Sequence, residues 1–299
     1  MSAPFRVDGV DFADALPALR AVRDVVFVQE QRVPVEIERD ALDPACVHVL
    51  AQDAEGRPIG TGRLAPSGKI GRMAVLDAWR GRGVGRALLR RLLDEARARG
   101  LAEAHLHAQV DAERFYAIDG FLPVGERFEE AGIQHQAMRR LLGHPAAVET
   151  AAQAAAAVVG IAAHARRTLM IYSREMDPGL LDQPDVLAAL RRLGTRGVET
   201  RLLLQDIETP QRAHAPLIPL VQRLPSAFAV RVIEEPVDRT YPSAFVASDT
   251  GGWYFRPLGH RPDGETQLDG PARVRQLRTV FDAAWERARP ASELRALGI

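Results

Sequence analysis

Residues 80–86 read RGRGVGR, with glycines at 81, 83 and 85. The run follows the apolar stretch Met73–Leu76 and opens a helical pattern, so a strand feeds a glycine-rich turn that starts a helix. The first amide hydrogens of a helix have no intrahelical partner and the helix dipole favours negative charge there, so such a turn suits a phosphate or pyrophosphate. Spacing alone leaves the occupant open, because glycine-rich turns also serve NAD, ATP or tight packing. The pattern here is G-x-G-x-G, not the dinucleotide fingerprint G-x-G-x-x-G; no parallel βαβ unit surrounds it and no lysine completes a nucleoside triphosphate loop, so both nucleotide readings lose ground.

A second group with chemistry lies in EAHLHAQV. Period-two alternation puts His105, His107 and Gln109 on one face and Ala104, Leu106 and Ala108 on the other. Two histidines at i and i+2 are a possible start for a metal site, but no cysteine or nearby acidic residue completes one, and no metal is expected.

The elements that must position these residues follow from periodicity. A helix begins near Asp14, its expected cap, with Ala15, Leu19, Val22 and Val26 at helical spacing, and ends before Pro34. CVHVLAQD, IGTGRLA and KIGRMAVL then read as an antiparallel meander. The glycine run opens a helix with Val84, Ala87, Leu88, Leu92 and Ala96 on one face, closed by Gly100. EAHLHAQV is a strand, AERFYAIDG a short helix, and FLPVGERF and QHQAMRRLL two more strands. The fold class is α/β (α+β): a mixed, mostly antiparallel sheet flanked by helices, followed by a second α/β domain. The domain reading is 1–142, a linker helix at 143–167 where an alanine-rich run of weak amphipathicity begins, and a further domain at 168–299.

Composition narrows the function classes. The 299 residues are 46% hydrophobic and carry no formal net charge, so there is no broad basic field for nucleic acid. Lys69 is the one lysine, so arginine pairs such as Arg90 and Arg91 read as solvated helix faces. The lone Cys46 excludes an intramolecular disulfide or a cysteine-built zinc site and reads as a small buried filler. No secretory signal or membrane-length apolar run is legible, so a soluble, cytoplasmic protein with no membrane partner is expected. Oligomeric state is left open.

RGRGVG resembles the Q/R-x-x-G-x-G/A pyrophosphate loop of the GNAT superfamily of N-acetyltransferases. The resemblance spans about Phe5 to Leu141 and includes FVQEQRVPVEIERD, GRMAVLDAWRGRGVGRALL, LHAQVDAERFYAIDGF and AGIQHQAM. It implies acetyl-CoA as cosubstrate, with the pantetheine arm on the backbone of Met73, Ala74 and Val75. The pyrophosphate would lie on amides of Arg80, Gly81, Arg82, Gly83, Val84, Gly85 and Arg86. It further implies Tyr116 as general acid near the CoA sulfur and His107 as a proton relay facing the cofactor cleft. Glu30 and Glu36 would lie on a loop closing over the acceptor, one of them binding or deprotonating the amine. Gln109 and His135 would border the same cleft. The implied activity is direct acetyl transfer to a primary amine of a small molecule or protein; the alternative is a CoA-binding sensor or interaction module acting through the C-terminal domain.

From about residue 150 the chain resembles, more weakly, a single phospholipase D-like unit. The motif H-x-K-x-x-x-x-D is absent: with Asp249 in the aspartate place, Pro242 and Ala244 stand where histidine and lysine belong. Catalysis there is not expected. GHRPDGETQLDG reads as a loop, and Trp253, Tyr254 and Trp285 read as core.

Overall fold

The computed structural model describes residues 5–294. The chain forms two compact units. One runs through Val110 and resumes over Val124–Leu142; the other takes Asp111–Pro123 together with the chain from Gly143 onward.

The first unit opens with strand β1 (Phe5–Val10), which the helical reading of the amino terminus missed. Helix α1 (Phe12–Arg23) is capped by Asp11, whose carboxylate accepts from the N–H of Ala13 and Asp14 at 2.9 and 3.1 Å; Asp14, the expected cap, sits in the first turn. The helix widens into a π turn over Asp24–Glu30, and the short α2 (Val35–Glu38) follows. Strands β2 (Val47–Asp53), β3 (Pro58–Leu64) and β4 (Ile70–Val75) form, with β1, an antiparallel sheet of order β1-β2-β3-β4. Helix α3 (Val84–Ala98) buries Val84, Leu88, Leu89, Leu92, Leu93 and Ala96. It lies close on β3, where a Cβ at Gly62 would stand 2.9 Å from Leu92 Cδ1 and 2.7 Å from Met73 Sδ. A side chain there would have to push the ends of Leu92 and Met73 aside.

Strands β5 (Glu103–Gln109), β6 (Leu122–Glu130) and β7 (Ile133–Leu141) make a second antiparallel sheet of order β5-β7-β6. Its hairpin turns at Ala131 and Gly132, both at positive φ, the geometry that suits a two-residue turn to strand twist. The two sheets meet at one parallel bridge, Lys69 to His105, with the His105 N–H on the Gly68 carbonyl at 3.1 Å. Beyond it β4 and β5 are not paired.

The second unit holds α4 (Glu113–Ile118), β8 (Ala146–Val148), α5 (Ala151–His164), β9 (Thr168–Ser173), α6 (Pro184–Thr195), β10 (Glu199–Leu204), α7 (Glu208–Arg212), α8 (Ile218–Arg223), β11 (Phe228–Val232), α9 (Pro236–Arg239), β12 (Ala244–Ser248), β13 (Trp253–Arg256), β14 (Gly264–Gln267), α10 (Pro271–Arg287) and β15 (Arg289–Pro290). Its sheet has the order β15-β11-β10-β9-β12-β13-β14-β8, with β9, β10 and β11 parallel and the other neighbours antiparallel. GETQ, read as loop, pairs with both β13 and β8, because the chain on either side of it turns back. Tyr172, Phe245, Trp253, Phe281 and Trp285 form one buried cluster under α10, so the aromatic residues are core. Residues 143–167 supply β8 and α5 to this unit, and α5 packs on α4, α6, β12 and β13. Asp249 accepts the N–H of Arg166 and Arg167 at 2.9 and 3.1 Å, which commits its carboxylate to shaping a turn.

Candidate active site

The glycine run begins the site. Gly81 and Gly83 have φ of 72° and 87°, in the left-handed region, and a Cβ at either would meet nothing within 4 Å. These glycines therefore serve backbone conformation and an open surface, not packing. Gly83 caps α3 without any side-chain bond, the first turn carries no acidic residue, and the first helical bond runs from Ala87 N–H to the Gly83 carbonyl at 3.0 Å. The N–H groups of Val84, Gly85 and Arg86 are left without intrahelical acceptors. Arg80 pairs with Glu30 and Asp77, and Arg82 stacks over Trp79 at 5.2 Å. Arg86 has its own interaction.

The strand feeding this turn presents an open edge. Leu76 N–H donates to the Ile59 carbonyl at 3.0 Å, so by alternation Ala74 also bonds toward β3, while Met73 and Val75 direct their backbone groups away from it. With β4 and β5 unpaired at that level, no strand of this unit covers those groups. Arg80 Nε donates to the Val75 carbonyl at 3.1 Å.

The exposed face of β5 and β7 gathers the histidines. The burial of Ala104, Leu106 and Ala108 bears out the alternation read from sequence. His107 Nδ1 is 2.7 Å from a Glu130 carboxylate oxygen and meets Phe128 edge-on, and Phe128 in turn stacks on His135. Burial opposes ionisation of Glu130, but the hydrogen bond and charge of His107 hold its carboxyl below the usual range. Gln109, opposite His135 across the strands, donates to Gln31 at 3.3 Å. Glu30 is committed to Arg80, and Glu36 stands exposed on α2 with no partner among the described residues. His135 Nδ1 lies 2.8 Å from the Ile133 carbonyl.

Tyr116 lies on α4 in the other unit. It is 9% exposed, packed edge-on against Phe115 and Phe121, and burial pushes its phenol up to about 12, so it keeps its proton at neutral pH. Its hydroxyl has no hydrogen-bond partner among the described residues.

Sequence reasoning missed Glu130, because its pairing with His107 depends on hairpin register. It also missed a buried ion network. Arg23 bonds Glu38 and Asp43, Arg63 bonds Asp43 and Asp40, and Arg72, at a φ of 52° beside a bulge in β4, donates to the Ile37 and Glu38 carbonyls. The network fixes residues 37–43 on β3 and β4. The alternation of charged and apolar residues in VEIERDALD hinted at it. Cys46, expected to be buried, is half-buried, with Sγ 3.3 Å from the Leu42 carbonyl.

A model of the acetyltransferase (GNAT) domain matches residues 23–142, and the uncharacterized N-acetyltransferase YjcF of Bacillus subtilis is 37% identical over 40% of this chain and 87% of its own length. The chain belongs to the GNAT acetyltransferase family. Protein ElaA of Escherichia coli is 34% identical over 42% of this chain and 86% of its own. The crystal structure of an acyl-CoA N-acyltransferase from Pseudomonas aeruginosa shares 33% identity, covering 46% of this chain and 99% of that one, with a TM-score of 0.42. Residues 150–297 match a domain of unknown function, DUF7931, which lends the phospholipase D likeness no support. No helix among the described residues is long and apolar enough to cross a membrane. No cluster of three or more histidine, cysteine or acidic residues among them is placed to hold a metal.

Proposed function

We propose that this chain is an acetyl-CoA-dependent N-acetyltransferase acting by direct transfer to a primary amine. The observation that carries the reading is the uncapped start of α3 beyond two left-handed glycines, with open space where side chains would stand. That cradle fits a pyrophosphate: the amides of Val84, Gly85 and Arg86 donate to it, and Gly81 and Gly83 leave its path clear. Arg80, Arg82 and Arg86 bring positive charge to it, Arg80 being paired with Glu30. The outward backbone groups of Met73 and Val75 suit the amides of a pantetheine arm, which requires Arg80 to leave the Val75 carbonyl.

Bound acetyl-CoA supplies the activated acetyl carbon. Tyr116, protonated throughout the neutral range, donates a proton at its hydroxyl to the departing sulfur. His107, hydrogen-bonded behind by Glu130, takes the amine proton at Nε2, in the arrangement by which a carboxylate orients an imidazole base. Glu36 faces solvent with a free carboxylate and receives the ammonium form of the acceptor; Gln109 and His135 border it. A small amine is favoured over a protein, because the chain has no long acidic or basic run to hold a peptide. The test is release of free CoA from acetyl-CoA with a panel of primary amines. Saturable acetyl-CoA binding with no release for any amine refutes the enzyme and favours a CoA-binding sensor.

A further inference from the structure

Helix α4 carries Tyr116, yet α4 is only six residues long and is too short to hold its own geometry. What holds it lies in α5. Gln153 Nε2 donates to the Pro123 carbonyl at 2.9 Å, just past the segment. At Gly160 a Cβ would stand 2.8 Å from the carbonyl oxygen of Ala117, the residue after Tyr116, and 3.7 Å from that of Ile118. His164 Nε2 lies 3.9 Å from Asp119. Positions 153, 160 and 164 fall on one helical face at spacings of seven and four. Arg114, two residues before Tyr116, meets Asp185 on α6 at 3.8 Å. Each contact joins residues 113–123 to the region that matches the domain of unknown function.

We infer that α5 positions Tyr116 for acetyl transfer, with Gly160 and Gln153 as positioning residues, and that the C-terminal region thereby controls the transferase. The inference rests on the assignment of Tyr116 as the acid. Gly160 is the informative site because alanine there improves intrinsic helix propensity, so α5 itself is not weakened, while the new methyl has to displace a backbone carbonyl that cannot rotate aside. A shift of α4 by a fraction of an ångström moves the phenol, and a misplacement of about 1 Å costs a reaction on the order of 100-fold.

The test uses the full chain. Gly160→Ala, Gln153→Leu, Tyr116→Phe and the double variant Gly160→Ala with Tyr116→Phe are compared for acetyl-CoA affinity, for CoA release above the enzyme-free rate with the same panel of primary amines, and for amide exchange over residues 113–121. Gly160→Ala is expected to bind acetyl-CoA as the wild type does, to lower kcat by about 10- to 100-fold and to speed exchange in this segment. In the Tyr116→Phe background it should lower kcat no further, since the group it misplaces is gone. Should Gly160→Ala fail to fold, Gln153→Leu, which loses the bond to Pro123 and the one its Oε1 accepts from the Glu149 N–H, decides by the same readouts. No CoA release by the wild type brings down the enzyme reading and this inference with it. Wild-type turnover untouched by Tyr116→Phe brings down the tyrosine's role. Turnover lowered by Tyr116→Phe but unchanged in folded Gly160→Ala and Gln153→Leu, or fully additive losses, overturns the inference alone.

Discussion

Replacing Gly83 by aspartate separates the cofactor reading from a packing role for the same glycine. At a φ of 87° any side chain costs about 1 kcal/mol of backbone strain, and since a Cβ there meets nothing within 4 Å no clash adds to it. As a cap for α3 aspartate gains at most a few tenths of a kcal/mol over glycine, so a net cost near 1 kcal/mol remains and the melting temperature should fall by about 2–4 °C. Binding is another matter. A carboxylate about 5 Å from a pyrophosphate charge, at an effective dielectric constant near 20, is repelled by about 3 kcal/mol. That is about two orders of magnitude in acetyl-CoA affinity. Gly83→Ala, with the strain and no charge, should lose about fivefold or less. Calorimetric titration and a thermal melt on each variant check both halves. Aspartate variants that bind acetyl-CoA within twofold of wild type would refute the pyrophosphate assignment, and an equal loss in Gly83→Ala would assign the effect to shape.

Tyr116→Phe should lower kcat by about 100-fold with little change in the KM for acetyl-CoA, the scale of losing one acid; steady-state CoA release measures it. Glu130→Gln should weaken turnover by about tenfold, because His107 loses the carboxylate that orients it at Nδ1; unchanged steady-state CoA release would leave that pair without a catalytic role. Arg23→Leu removes the arginine that buried Glu38 and Asp43 share, leaving Arg63 to Asp43 and Arg39 to Glu38, and should cost about 3 kcal/mol of stability at pH 7. Burial raises the Asp43 carboxyl, but hydrogen bonds to Arg23 and Arg63 outweigh it and hold the group below its ordinary value. Its pairing therefore contributes fully above the ordinary carboxylate range and is lost as pH falls through the lowered value, so the variant's deficit should be the same from pH 7 down to about pH 5 and shrink only below about pH 4 in denaturant titrations.

Much of this was legible because periodicity and turn chemistry are local. The glycine run, the α3 face and the alternation in EAHLHAQV each fit inside one element, and the structure has them where the sequence put them. The partners of those residues are not local. Glu130 reaches His107 only through the register of the β6–β7 hairpin against β5, and Arg23 meets Asp43 only once α1 has packed on β3. The alanine-rich α5 read as a linker because its amphipathicity is weak, yet a helix apolar on nearly all sides is one that is covered on several sides. Ala154, Ala157, Val158, Ile161 and Ala162 are all buried. Strand β1, in FRVDGV, alternates only over the four residues before Gly9, too short a run to stand out, and is held by its pairing with β2.

The order in which the chain is made gives the contact between α4 and α5 a further meaning. The residues of α4 leave the ribosome ahead of the helix that supports them, and domains fold as units from the amino terminus during synthesis. The sheet of the first unit can thus assemble while α4 still waits for residues 151–164 to emerge. A nascent or prematurely terminated chain would carry the phosphate cradle without the support of the tyrosine helix. The arrangement acts as an interlock in time, making competence for chemistry the last property the polypeptide acquires.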